Sequence, residues 1–151
     1  MPFKQWTSTL WAGIFPQRKA AAVPSRVINV TRQTVLADRL EVANQGATRR
    51  KGLLGRSGLE TGEGLWIRPC EAVHTFFMNF PIDLVYLDHS HRIRKVRKSV
   101  PAWRLSACLS ASSVLELPAG CIEATQSRRG DKLEFISTVG VSDEGVVCEH
   151  A

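Results

Sequence analysis

The 151-residue sequence lacks several features that would assign a protein to a class at once. No apolar run approaches the roughly 20 residues that span a bilayer, so no transmembrane helix is predicted. The four cysteines form no C-x-x-C pair, which excludes a zinc ribbon and a thioredoxin-like redox motif. The stretch "GLLGRSGL" is neither a phosphate-binding P-loop nor a G-x-S-x-G nucleophile elbow. We therefore predict no cofactor and no metal.

Acidic residues are also missing before Asp38, where lysines and arginines supply much of the net charge of +6. The basic character thus belongs largely to an N-terminal tail, and it favours nucleic acid binding only weakly. A content of 44% hydrophobic and 23% charged residues is typical of one soluble globular domain. We expect no export signal and four reduced cysteines, since a domain of this size needs no disulfide.

Three segments are predicted along the chain. Residues 1–25 form a basic N-terminal extension that we expect to be flexible, residues 26–137 a single β-rich domain, and residues 138–151 a loose C-terminal tail. An alternative for the extension is contact with a membrane surface through residues 3–19, although Gly13 and Pro16 interrupt the helical face. The expected location is cytoplasmic, with peripheral membrane contact as the alternative.

Short apolar runs recur about every ten residues between turn signals, which predicts a β-rich domain. The runs "IDLVYLD" and "RIRKVRKSV" flank a turn at residues 88–91 and form a hairpin. Two short helices are expected at "GATRRKGLL" and "CIEATQS". The predicted fold class is mostly β (α+β): a compact, largely antiparallel β-barrel-like or sandwich domain. Its strand core is expected to include Val73, Phe77, Ile82, Leu84 and Tyr86.

Four segments in order resemble a known family. They are "RRKGLLGRSGL", "GLWIRPCEAVHTFFMNFPIDLVYLD", "SSVLELPAG" and "RRGDKLEF". Together they are similar to the prokaryotic domain-of-unknown-function 192 family, also called the uncharacterised ACR family, over roughly residues 26 to 136. The chain carries the histidine variant, "HTFFMNFPID". The resemblance implies a mostly antiparallel β fold, and it brings no established activity, cofactor or catalytic residue.

Three ionisable residues are the candidates for chemistry. His74 could be a general base or a metal ligand, but without partners at ligand spacing we favour a structural role. Asp83 lies inside an apolar strand, so we predict that Arg50 or Arg56 pairs with it; the alternative is a pocket carboxylate. Glu116 alternates with its leucine neighbours and points either to solvent or into a pocket. Asp83 and Glu116 would form an acid–base pair if they lay roughly 5 to 10 Å apart.

Basic residues dominate the hairpin at residues 92–104. We interpret this run as a solvated edge strand, with an anion surface as the alternative. Only Trp103 interleaves with it, which disfavours single-stranded nucleic acid. The preceding His89 and His91 are expected in a solvated turn rather than at a metal.

We therefore favour a non-enzymatic binding or accessory module, with a small anionic ligand or a protein as its partner. Candidate binding residues are Arg50, Arg56, Arg94, Arg97 and Lys98. One alternative is a small hydrolase-like enzyme using His74, Asp83 and Glu116. The second is binding of an anion or nucleic acid through the hairpin at residues 92–104.

Overall fold

The computed structural model describes residues 23–137, which form ten strands and two short helices. The strands are β1 (Arg26–Asn29), β2 (Thr34–Ala37), β3 (Arg39–Ala43), β4 (Glu63–Ile67), β5 (Ala72–His74), β6 (Ile82–Leu87), β7 (Ile93–Val100), β8 (Leu105–Ala107), β9 (Ser113–Pro118) and β10 (Leu133–Ile136). The helices are α1 (Gly46–Lys51) and α2 (Cys121–Ala124). The predicted mostly β class with two short helices is confirmed. Most of the predicted extension at residues 1–25 and the tail at 138–151 lie outside the described residues.

The strands form three sheets. The central sheet has the order β3-β4-β9-β6-β7, a second sheet has the order β10-β1-β2, and β5 pairs with β8 in a two-stranded ribbon. All pairs are antiparallel except β3 with β4, which run parallel. The sheets are layered, and within the described residues none of them closes into a barrel.

The central sheet is covered on both faces, which explains why β6 and most of β9 are buried. On one face, which we call the β1 side, Trp66 and Leu115 pack in one cluster with Val27 and Leu133 of the three-stranded sheet. On the opposite face, the β5 side, Leu65, Ile67, Leu84 and Val114 pack in a second cluster with Leu53 and Met78. The alternation of side chains along β4 and β9 separates the two clusters.

Two sequence interpretations need correction here. Phe77 was expected in the strand core, but its side chain is 70% exposed because β5 ends at His74 and residue 77 lies in the following turn. His91 was expected in a solvated turn, yet it is half-buried with its ring 5.5 Å from that of Trp66 and 4.8 Å from that of Phe135. His91 therefore belongs to an aromatic cluster, in which Trp66 and Phe135 stack at 3.8 Å.

Candidate functional site

Glu116 lies on the central strand β9 with its side chain on the β5 side. The register pairs it with Leu65 of β4 and Leu84 of β6, both of which belong to the apolar cluster on that side. Glu116 is 4% exposed, and its Oε2 has no hydrogen-bond partner among the residues that the structure describes. Burial raises the pKa of the Glu116 carboxyl to about 7, although the charge of Arg56 acts to lower it. Burying a carboxyl group among apolar side chains lowers the stability of the fold, and carboxyl groups with raised pKa values concentrate at functional sites.

Glu116 opens into a cavity of about 510 Å³, which we call the α1 cavity. Apolar side chains line much of it, including Leu53, Leu54, Ile67, Val73 and Met78. The volume is in the range that holds a small organic molecule. The cavity therefore combines a buried acid with apolar walls.

One rim of the α1 cavity is basic. Arg49, Arg50 and Lys51 all line it, and they form the last turn of α1. The helix is short because Gly52, with φ +49°, ends it in a conformation that favours glycine. At the other end, the Gln45 N–H donates to Thr48 Oγ1 over 3.2 Å. The helix thus places three cations in sequence beside a single cavity.

Arg49 fixes this rim to the central sheet. Its Nη1 donates to the carbonyl oxygen of Pro69, over 3.0 Å, just after β4 ends. Its Nε is buried, and no residue in the described part of the chain accepts a hydrogen bond from it. Arg49 Nε and Glu116 Oε2 are therefore two buried polar atoms at the α1 cavity whose hydrogen-bonding capacity is unsatisfied within residues 23–137.

The remaining wall consists of β5 and the segment before it. Cys70 and His74 both line the cavity, so the structure brings His74 and Glu116 to one site. The Cys70 thiol donates to the carbonyl oxygen of Ala72 over 3.2 Å. Burial raises the pKa of Cys70, which keeps the thiol protonated and a poor nucleophile. His74 is exposed and stacks on Phe76, with ring centroids 5.0 Å apart.

Asp83 does not belong to this site. It pairs with Leu117, whereas its neighbour Leu84 pairs with Glu116, so the Asp83 side chain lies on the β1 side of the sheet. Its oxygens accept hydrogen bonds from the backbone N–H groups of Ser99 and Ile122, both at 2.7 Å. The sheet separates the side chains of Asp83 and Glu116, which contradicts the alternative of an acid–base pair between them.

The expected pairing of Asp83 with Arg50 or Arg56 is also wrong. Arg56 instead forms a two-point ion pair with Glu41, with nitrogen–oxygen distances of 2.8 and 2.9 Å. That contact lowers the pKa of Glu41. Arg50 lines the α1 cavity, so of these two candidate arginines only Arg50 contributes directly to its wall.

The basic hairpin lies at the edge of the central sheet, on β7. Arg97 and Lys98 are exposed there, and Arg94 lies 4.0 Å from Asp88. Lys95 Nζ donates to the carbonyl oxygen of Ala107 over 2.7 Å, which ties β7 to β8. These cations do not line the α1 cavity.

Residues 23–137 contain neither a metal-binding cluster nor a membrane-spanning helix. No group of three His, Cys, Asp or Glu side chains is placed to hold a metal ion there. No helix in that part of the chain is both long and apolar enough to cross a membrane. The cysteines described there, Cys70, Cys108 and Cys121, are free.

Sequence reasoning missed Arg49 and Lys51 as site residues. They lie beside Arg50 in the predicted short helix "GATRRKGLL", and the sequence does not show that this helix lies over the β5 side. The available signal was indirect: "RRK" precedes the glycine that ends the helix, and "VLELP" places one acid inside a strand that is apolar on both faces.

Comparisons with known proteins agree on a family. The family model of the uncharacterised ACR proteins, DUF192, matches residues 27–135. A UPF0127 protein of Thermococcus sibiricus is 27% identical over 115 residues, which cover 72% of this chain and 73% of the relative.

Two solved structures share the fold. A protein of unknown function from Novosphingobium aromaticivorans superimposes with a TM-score of 0.65 at 22% identity, covering 76% of this chain and 85% of the other. A candidate transcription regulator from Sinorhizobium meliloti 1021 also gives 0.65 at 22% identity, covering 73% and 90%. At this identity the likeness shows the fold alone.

Proposed function

The chain belongs to the uncharacterised ACR family, DUF192, and we propose that it is a cytoplasmic binding module for a small amphipathic acid. The observation that carries this proposal is the buried Glu116 carboxyl, whose Oε2 has no partner within residues 23–137, in a cavity whose rim is basic. The module is the single domain at residues 26–137.

Each wall of the α1 cavity selects one part of the ligand. Arg50 and Lys51 attract a carboxylate or phosphate at the rim. Leu53, Ile67 and Met78 accept an apolar body. The ligand is therefore an organic anion with a short apolar chain.

Glu116 adds a further requirement. Its Oε2 lacks a donor, and a buried acceptor without a partner carries a desolvation cost that a ligand donor would offset. A hydroxyl or amino group on the ligand would supply that hydrogen bond. Hydroxy acids and apolar amino acids have all three features.

Binding fits this cavity better than hydrolysis. Of the three residues considered for a hydrolase, His74 and Glu116 line the cavity, whereas Asp83 lies on the other face of the sheet and is saturated by backbone donors. Cys70 is held as a neutral thiol by its burial. These features support recognition rather than nucleophilic attack.

The test is isothermal titration calorimetry of the full chain with hydroxyoctanoate, octanoate and octanol. Compared with hydroxyoctanoate, octanoate lacks the hydroxyl group and octanol lacks the carboxylate. We expect hydroxyoctanoate to bind about tenfold more tightly than octanoate, because one buried hydrogen bond is gained, and octanol to bind most weakly. The variant Arg50→Gln/Lys51→Gln should weaken both acids and leave octanol unchanged.

Two further variants complete the test. Glu116→Leu should make hydroxyoctanoate bind no better than octanoate. Arg26→Gln, which replaces an exposed arginine on β1, is the charge control and should leave the affinity for all three probes unchanged. Equal affinity for all three probes, or binding that ignores Glu116→Leu, would refute the proposal.

A further inference from the structure

Large apolar side chains are exposed at and beside β8, on the ribbon that it forms with β5. Phe77 is 70% exposed, Trp103 57%, Leu105 68% and Leu109 87%. We call these four residues the apolar ridge. The ring centroids of Phe77 and Trp103 lie 4.7 Å apart, and Leu105 begins β8 two residues later. Leu109 lies two residues beyond the other end of β8, so the four side chains follow this strand from end to end. Isolated exposed apolar residues are ordinary, whereas several along one element indicate an interaction surface.

The backbone holds the two aromatic residues of the ridge in place. Phe77 has φ +64° and Trp103 φ +61°, a region that bulky residues rarely adopt. Buried Thr75 joins their two loops: its carbonyl oxygen accepts from the Trp103 N–H at 3.0 Å, and its Oγ1 donates to the carbonyl of Pro101 at 2.7 Å. Strained residues that remain exposed gain little from packing, and such strain clusters at functional sites.

Positive charge borders the ridge. No acidic residue stands between Asp88 and Glu116, whereas six arginines and lysines do. Arg104 is exposed between Trp103 and Leu105, and Arg97 and Lys98 are exposed on β7, which Lys95 ties to β8. Exposed aromatic and leucine side chains beside arginines match the two regions of an anionic bilayer surface, the acyl boundary and the headgroups.

We propose that the apolar ridge, with Arg97, Lys98 and Arg104 beside it, docks on an anionic lipid bilayer. Leucines favour lipid over nucleic acid, because an aliphatic side chain offers no ring on which a base could stack. The proposal is independent of the cavity ligand, since the ridge residues do not line the α1 cavity.

The test is flotation of the full chain with vesicles of phosphatidylcholine alone and of phosphatidylcholine mixed with phosphatidylglycerol. Binding is expected to the mixed vesicles, to weaken with salt, and to be much weaker on phosphatidylcholine. The variant Trp103→Asn/Leu105→Thr/Leu109→Ser should lower the partition by more than about tenfold, because it removes three inserting side chains. Asparagine is chosen because it tolerates positive φ.

Two further variants test whether the effect is specific to the apolar ridge and whether the neighbouring charges contribute to it. Val35→Ser, an exposed apolar residue in the three-stranded sheet, should leave the partition unchanged. Arg97→Gln/Lys98→Gln/Arg104→Gln should lower binding to the mixed vesicles while preserving the melting temperature. All variants keep residues 3–19, so any contribution from that segment is common to them.

Three results would overturn the proposal. The first is wild-type protein that ignores mixed vesicles, or a ridge variant that binds them as well as wild type. The second is a ridge variant whose melting temperature falls by several degrees, which would show that the chain itself covers the ridge. The third is a charge variant that loses binding to single-stranded RNA while keeping its binding to vesicles.

Discussion

Burial of the Glu116 carboxyl group opposes folding. Hydrophobic burial elsewhere on β9 favours the folded state, but the Glu116 side chain is moved from water to the floor of the α1 cavity without a partner for Oε2. A hydrophobic residue there would fill the strand pattern that Leu115 and Leu117 set. The acid is therefore better explained by a ligand than by stability.

Replacing Glu116 with glutamine should change how stability depends on pH. The pKa of Glu116 is raised from an ordinary 4.5 to about 7, so the folded state binds the proton more tightly than the unfolded state. Stability of the wild type should fall, relative to Glu116→Gln, as pH rises through that interval. Below pH 4.5 the Glu116 carboxyl is protonated in both the folded and the unfolded state. Above pH 7 it is ionised in both, and the free energy of unfolding is lower by the full penalty of about 3 kcal/mol.

Urea denaturation of both proteins across this pH range measures the difference. Glu123→Gln, an exposed residue on α2, is the control and should show no such slope. A difference between Glu116→Gln and wild type that stays constant with pH would show that the Glu116 carboxyl is not desolvated.

At the scale of elements, Asp83 joins three of them. A β-bulge interrupts the pairing of β6 with β7 beside Asp83, and the Ser99 N–H there donates to its Oδ1. The Ile122 N–H, in the first turn of α2, donates to its Oδ2. Gly120 precedes that helix and has no side chain to cap it, so a residue of β6 takes over the capping.

Asp83→Asn should therefore destabilise the domain by about 2–3 kcal/mol, because an amide NH₂ would face the N–H donor of either Ser99 or Ile122. Thermal or urea unfolding measures this loss. The exposed Asp38→Asn is the matched control and should stay within about 0.5 kcal/mol of wild type. A loss as small as that of the control would mean that α2 and the bulge do not depend on Asp83.

The sequence predicted the elements of the central sheet well. "GLWI", "IDLVYL" and "VLELP" are apolar runs bounded by turn residues, and each became a strand of that sheet. The short β8 was missed because "LSA" is only three residues long and its apolar Leu105 and Ala107 are exposed while Ser106 is buried. Its pairing with β5 is long-range and is not encoded in local propensity.

The candidate site was predicted only in part, for a related reason. Glu116 was expected on the face opposite its leucine neighbours, and it is. The hydrolase alternative placed Asp83 at the same site, because the register of β6 against β9 cannot be read from either strand alone. A shift of one residue in that register exchanges the two faces of a strand.

In the described domain, the two faces of the central sheet are covered by different kinds of element. The β1 side holds the aromatic cluster of Trp66, His91 and Phe135, while the α1 cavity and the apolar ridge lie at the elements that cover the β5 side. That cover consists of a six-residue helix and a ribbon with three paired residues in each strand. Small covers of this kind open more readily than the sheet beneath them.

Hydrogen exchange of the full chain should reveal this difference. Amides of β6 and β9 lie inside the central sheet, with a paired strand on each side, and should exchange only through global unfolding. Amides of β5 and β8 should exchange by local opening, at least about a hundredfold faster, because no third strand from residues 23–137 pairs with their ribbon. Mass spectrometry of peptic fragments can separate the two groups, with β1 as an internal reference because it is flanked by β10 and β2.

If β5 and β8 exchanged as slowly as β6 and β9, the cover would be part of one cooperative unit. A ligand could then enter only through the existing mouth of the cavity or after global unfolding. Faster exchange at β5 and β8 instead gives the α1 cavity a second route of entry, beside the apolar ridge.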